Sequence, residues 1–194
     1  RLAVALDWAS LARRRPEITI SSVEMTDWQM LVEKWEGGSQ SFPDFARNTR
    51  RNNGPSRFTT TLRYLRASRG QFAYEDHEAP WSVVCPNLDI TIGNLPNYHG
   101  TAAFTDGTLT IQDSLPMRAN FKARFVIDGA RIHLDRIDMD TDGTVTVARG
   151  DVDTANWPEQ TFQVQSRVNF PLMRGIFFKT EPWVLAGDAD FTGT

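Results

Sequence analysis

From Phe58 to the end of the chain, apolar and polar side chains alternate in short runs separated by turn residues, and this period of two limits the possible folds more than any other feature. The clearest runs are Asn87 to Ile92 and Asn120 to Ile127, where every second side chain is apolar. Successive residues of a strand point to opposite faces, so each run predicts a strand with one apolar and one polar face. A sheet of such strands has two outcomes. It closes its apolar face against a second sheet, or it leaves that face as a groove for an apolar ligand.

Turn residues divide the chain into elements. Leu2 to Asp7 predicts a strand and Trp8 to Arg15 a helix, with Arg13, Arg14 and Arg15 complementing its C-terminal dipole and Pro16 stopping it. Strands over Glu17 to Met25 and Trp28 to Trp35 follow, joined by Thr26-Asp27 and closed by Glu36-Gly37-Gly38. Arg47 to Ser56 has no apolar residue, which predicts a flexible polar loop over 46–56. Beyond it the pattern predicts a meander. Phe58 to Arg66 and Gly70 to Asp76 read as a hairpin around Ala67-Ser68-Arg69, and Trp81 to Ile92 is the next strand. His99 to Phe104 and Thr108 to Gln112 read as a second hairpin around Thr105-Asp106-Gly107, because Asp-Gly is a strong hairpin signal. Asp128-Gly129 joins Ala119 to Ile127 with Arg131 to Met139, and Asp142-Gly143 leads into Thr144 to Asp153. Phe162 to Phe170, a short helix over Leu172 to Phe178 opened by Pro171, and a strand over Trp183 to Phe191 complete the chain. The expected fold is mainly β: a long curved antiparallel meander folded into an apolar-lined groove, with one or two short helices. Its organisation is an N-terminal strand-helix-strand-strand unit (1–45), the polar loop (46–56) and the meander (57–194), continuing past 194.

Composition removes several classes of function. With 194 residues, 40% of them hydrophobic, the chain can bury a core, and its net charge of −3 argues against nucleic acid as a partner. A single cysteine, Cys85, excludes an internal disulfide and a cysteine-based zinc site. No stretch is long and apolar enough to span a bilayer. The chain opens on Arg1 inside a strand-like run without Met or signal peptide, which reads as a piece of something longer.

No motif commits the chain to catalysis. Asp138, Asp140, Asp142 and Gly143 match the first half of a calcium loop, but Arg149 stands where the bidentate carboxylate belongs, so no metal is expected. His77, His99 and His133 have no metal-ligand spacing, although Glu75, Asp76 and Glu78 surround His77. Gly-x-Ser-x-Gly and phosphate-binding glycine loops are missing, Cys85 sits in an apolar strand, and the Asp151/Asp153 pair is too common a pattern to mark a glycosidase. Neither catalytic residues nor a cofactor are expected. Gly150-Asp151-Val152-Asp153 and Gly187-Asp188-Ala189-Asp190 share a pattern that is either a repeating sheet unit or the polar edges of two strands. Seven arginines and no acid fall between Arg47 and Tyr74. They are either a solvated, charge-guarded segment or, at Arg47, Arg50 and Arg51, a contact for anionic headgroups.

The order of these segments resembles a family. Leu2 to Leu11, Ile18 to Met25, Trp28 to Val32 and Gly37 to Phe45 resemble the start of AsmA-like and TamB-like proteins. Arg69 to Asp76, and Ile132 to Gly143 followed by Gly150 to Asp153, are similar to that family's recurring strands and hairpins. The resemblance covers nearly the whole chain. It implies an N-terminal anchor in the inner membrane of Gram-negative bacteria, a folded-over β-sheet in the periplasm, phospholipid acyl chains carried on its apolar interior, and a link to outer-membrane assembly. It brings no catalytic residues.

Sequence and resemblance together lead to a non-catalytic segment that shields or conducts phospholipid. The expected wall is Leu88, Ile90, Ile92, Phe104, Leu109, Ile111, Phe121, Phe125, Ile127, Ile132, Leu134, Phe162, Val164 and Val168. Two alternatives stand beside it: a scaffold that pairs its edge strands with an outer-membrane assembly partner, and a closed β-sandwich binding module.

Overall fold

A computed structural model of the chain describes residues 1–9, 17–41, 59–94, 97–155 and 159–194. Twelve strands form one sheet: β1 (Leu2–Asp7), β2 (Glu17–Thr26), β3 (Gln29–Lys34), β4 (Thr59–Leu62), β5 (Tyr64–Asp76), β6 (Trp81–Asn94), β7 (Tyr98–Ile111), β8 (Met117–Asp128), β9 (Arg131–Thr141), β10 (Thr144–Asp153), β11 (Gln160–Asn169) and β12 (Asp188–Gly193). The order is β1-β2-β5-β6-β7-β8-β9-β10-β11-β12, with β4 beside β2 and β3 beside β5. The expected mainly-β open sheet is present. It is not closed, so the β-sandwich alternative fails: among the described residues no second layer packs on either face. The whole chain has 13726 Å² of accessible surface, where a compact monomer of 21.9 kDa has about 9,300 Å².

The N-terminal third differs from a meander. β2 and β3 run parallel to β4 and β5 in one constant register, from Glu17 opposite Thr59 to Lys34 opposite Asp76, an offset of 42 residues throughout (59 − 17 and 76 − 34). They act as two long strands, one interrupted at Asp27-Trp28 and the other at Arg63. β1 to β3 therefore belong to the same sheet as the meander. The helix expected over Trp8 to Arg15 lies outside the described residues beyond Ala9, as does the whole polar loop 46–56.

Two expected hairpins are continuous strands instead. Ala67-Ser68-Arg69 lies inside β5, and Asp106-Gly107 lies inside β7, each at a register irregularity where the non-glycine residue takes a positive φ: 52° at Arg69 and 56° at Asp106. An Asp-Gly pair supplies positive φ to a bulge as readily as to a turn. Here the residues on both sides stay paired with β6 and β8, so the chain bends without reversing. Asn120 Oδ1 accepts from the Asp106 amide (3.0 Å), and Asp89 Oδ1 from the Arg69 amide (3.0 Å). Asp128-Gly129 and Asp142-Gly143 do turn, with Gly129 at φ 58° and Gly143 at 110°.

The helix near the C-terminus is α1 (Phe170–Phe177), starting two residues earlier than the pattern suggests. The Asn169 side chain accepts from the Leu172 amide (3.0 Å) and caps it, so Pro171 falls in the first turn, where its missing N–H costs nothing. α1 lies across one end of the sheet. Asn169 donates to the Gly143 carbonyl (2.8 Å) at its start and Leu115 donates to the Ile176 carbonyl (3.3 Å) at its end, so it reaches from β11 past the β9–β10 turn to the β7–β8 turn. The strand expected over Trp183 to Phe191 pairs only from Asp188.

Candidate functional site

Register sorts the strands' side chains into two faces. One cross-strand row runs Leu65, Ile92, Gly100, Phe125, Leu134, Gly150, Phe162. The next runs Ala67, Ile90, Ala102, Ala123, Ile137, Ala148, Val164, and beyond it Phe104, Phe121, Met139, Thr146, Ser166 and Phe191 line up. Ile111 lies level with Trp81, Leu109 with Val83 and Met117, Leu88 with Gly70, Ile127 with Tyr98 and Ile132, and Val168 with Thr144 and Ala189. Every expected wall residue therefore lies on one face, together with Leu2, Val4, Val23, Met25, Met30 and Val32 from the N-terminal strands.

Size varies along this face in an ordered way. Gly100 lies beneath the Phe125 ring, which a Cβ there would overlap, and a Cβ at Gly150 would meet the Thr161 carbonyl first and then the Phe162 ring. Phe104 and Phe121 stack with centroids 5.4 Å apart. Between these rows lies the one in which Ala67, Ala123 and Ala148 are buried, interrupted by Ile90, Ile137 and Val164. Toward β10 and β11 the face gains hydroxyls, and these satisfy one another: Thr141 with Thr144 (2.7 Å) and Thr146 with Ser166 (2.8 Å). Paired hydroxyls sit on an apolar surface at much lower cost than free ones. Cys85 is 2% exposed on this face, and burial pushes its thiol pKa up to about 11, which makes it an inert core group.

The face ends in a polar cluster beside the β5–β6 turn. Asp76 is 7% exposed, receives Lys34 Nζ (3.1 Å), the Tyr74 hydroxyl (3.3 Å) and the amides of Glu78 and Ala79 (both 3.0 Å), and is held below the usual carboxylate range chiefly by the Ala79 amide. Lys34 also reaches Glu78 (2.9 Å), and Tyr74 packs against Trp81 with ring centroids 4.7 Å apart.

The opposite face is mainly polar, with Leu31, Val84 and Val145 exposed among its charged and hydroxyl side chains. Arg136 chelates Asp138 (2.6 to 2.9 Å), and that bond holds the Asp138 carboxyl below its usual range. His133 Nδ1 bonds Asp151 (2.8 Å), which raises the imidazole pKa, and Asp142 accepts from the Arg118 amide (2.7 Å). The aspartates of the calcium-like run are thus divided between strand pairs and a hairpin turn. The Gly-Asp-x-Asp segments are not equivalent: Gly150 to Asp153 ends β10, whereas Gly187 to Asp190 enters β12.

Glu33 lies directly opposite Glu75, and with His77 (3.4 Å from Glu33) their ligand atoms fall within 4.8 Å of one another. The sequence shows Glu75 beside His77, but Glu33 joins them only through the parallel register. Arg47, Arg50 and Arg51 lie outside the described residues. Of the other arginines in that run, Arg69 pairs with Asp27 (2.7 and 2.8 Å) and Arg63 approaches Asp7 (4.0 Å). No helix among the described residues is long and apolar enough to cross a membrane.

No protein-family model, curated protein or solved structure matches this chain.

Proposed function

We propose that this chain is a non-catalytic, lipid-shielding or lipid-conducting segment of an AsmA-like or TamB-like envelope protein, with phospholipid acyl chains lying on the apolar face. The observation that supports this reading most is an apolar face that no second layer covers among the described residues. Ten strands lie side by side along the sheet, so at about 4.8 Å per step the face runs about 43 Å, beyond the roughly 30 Å of a bilayer's hydrocarbon core. The expected wall residues on it are half-buried by their strand neighbours, and Leu88 is buried, so each keeps part of its apolar surface open to a ligand along that length. Acyl chains suit it because they are held by area, about 0.8 kcal/mol per buried CH₂, and need no precise polar geometry. The resemblance adds the compartment: a periplasmic location, with an inner-membrane anchor in the full-length protein.

The test uses two adjacent residues of β7. Leu109 lies on the apolar face and Thr108 on the polar one. Leu109→Asp places a charge among acyl chains and lowers the phospholipid that co-purifies with the protein, whereas Thr108→Asp leaves it unchanged. Equal lipid content in the two folded variants would overturn the reading.

A further inference from the structure

The polar face carries a concavity that the lipid reading does not use. It has a volume of about 250 Å³ and is lined by Lys122, Ala123 and Arg124 of β8 and by Arg136 and Asp138 of β9. Lys122 is level with Asp138, and Arg124 is directly opposite Arg136. Like charges facing each other across a ladder are destabilising, so this arrangement costs the sheet something. Arg136 relieves part of it by turning along its own strand onto Asp138, which occupies that carboxylate. Lys122 and Arg124 make no hydrogen bond or close ion pair among the described residues, although both attract the Asp138 carboxylate at longer range and help hold its pKa down. Arg149, opposite the irregularity at Asp135 and Arg136, is turned onto Gln163 Oε1 (2.8 Å) and does not line the concavity.

We propose that the Lys122, Arg124 and Arg136 concavity is an anion site for a phosphoryl group. An anion held against Arg124 offsets the repulsion between Arg124 and Arg136. The Arg124 guanidinium offers paired donors that match phosphate oxygens, Lys122 contributes a point charge at the rim, and Arg136, whose Nε and Nη2 stay on Asp138, adds only its charge. The volume is below that of most drug-sized ligand sites, which suits a phosphoryl group better than an extended ligand. With Asp138 paired to Arg136, the charged lining of three cations and one carboxylate stays net cationic. Because the site is on the face opposite the apolar one, it stands or falls separately from lipid carriage.

The experiment titrates the protein with inorganic phosphate at low ionic strength, following backbone amide shifts in β8 and β9. Saturable shifts centred on Lys122 to Arg124 are expected, weakened at least tenfold in the Lys122→Gln/Arg124→Gln double variant and unchanged in Arg167→Gln, which removes a cation elsewhere on the same face. Added salt should weaken binding, as the exposure of the site requires. A parallel measurement uses phosphatidylcholine vesicles with and without phosphatidic acid. Phosphate binding with variant-sensitive binding to the phosphatidic acid vesicles supports the site with a lipid headgroup as its source, and phosphate binding without vesicle binding supports it with a free phosphorylated ligand. Absence of saturable phosphate shifts, or equal binding by the folded double variant, overturns it.

Discussion

The indole of Trp28 fills the space that a side chain at Gly70 would need: a Cβ built on Gly70 would fall among the indole ring atoms. The two are level in the parallel register that joins the N-terminal strands to β5, at the point where β2 breaks and Arg69 takes its positive φ. Gln71 donates to the Trp28 carbonyl (2.8 Å), and Arg69 closes onto Asp27, so the junction is fixed from both sides.

Gly70→Ala therefore destabilises the protein by about 1–3 kcal/mol, as overpacking does, because the indole must leave its place over Gly70 to admit the methyl group. Gly93→Ala provides the contrast. Nothing lies within 4 Å of a Cβ there, so reduced freedom in the unfolded chain makes it neutral or stabilising by about 0.4–1 kcal/mol. Urea unfolding of the two variants measures the difference.

The bulge in β7 gives a second prediction. Asp106 holds φ at 56°, which asparagine, aspartate and glycine tolerate and β-branched residues do not. Asp106→Val costs about 1–2 kcal/mol, while Asp106→Gly is close to neutral. Were Asp106 at the tip of a hairpin, an inserted Gly-Ser pair would be tolerated. Inside a paired strand it shifts the register of one half of β7 and unfolds the sheet, which circular dichroism detects.

Asp76 sets a pH dependence. Its folded pKa lies below the unfolded value near 3.8, so its contribution to stability is fully present above that value and is lost as pH falls through the folded pKa. Asp76→Asn lowers the melting temperature at pH 7 and flattens the decline seen from about pH 5 downward. A variant that melted with the same acid limb as the parent would contradict the role given to the turn amides and Lys34.

How much was legible follows from what sets each feature. The faces of β6 to β11 were readable because burial on one side imposes a period of two on the sequence, and the wall residues fell on one face for that reason. Turns at Asp128-Gly129 and Asp142-Gly143 were readable, but Asp106-Gly107 was not. The dihedral requirement is the same in a turn and in a bulge, and only the partners on β6 and β8 decide between them. The parallel register of 17–34 with 59–76 leaves no local mark, since the two strands are 42 residues apart. Glu33 and Glu75, and Trp28 and Gly70, meet only through it. The cationic concavity was hidden for a related reason: Arg124 and Arg136 read as ordinary polar-face residues until the ladder sets them opposite each other.

The most direct test of an acyl-bearing face is photocrosslinking along β7 with a benzophenone side chain placed in turn at Thr101, Ala102, Ala103 and Phe104 in living cells, followed by detection of lipid adducts. Ala102 and Phe104 lie on the apolar face, Thr101 and Ala103 on the polar one. The account predicts phospholipid adducts at 102 and 104 and none at 101 and 103, in the period of two that a strand imposes. Adducts at all four positions alike, or none at 102 and 104 in a folded protein, would contradict it.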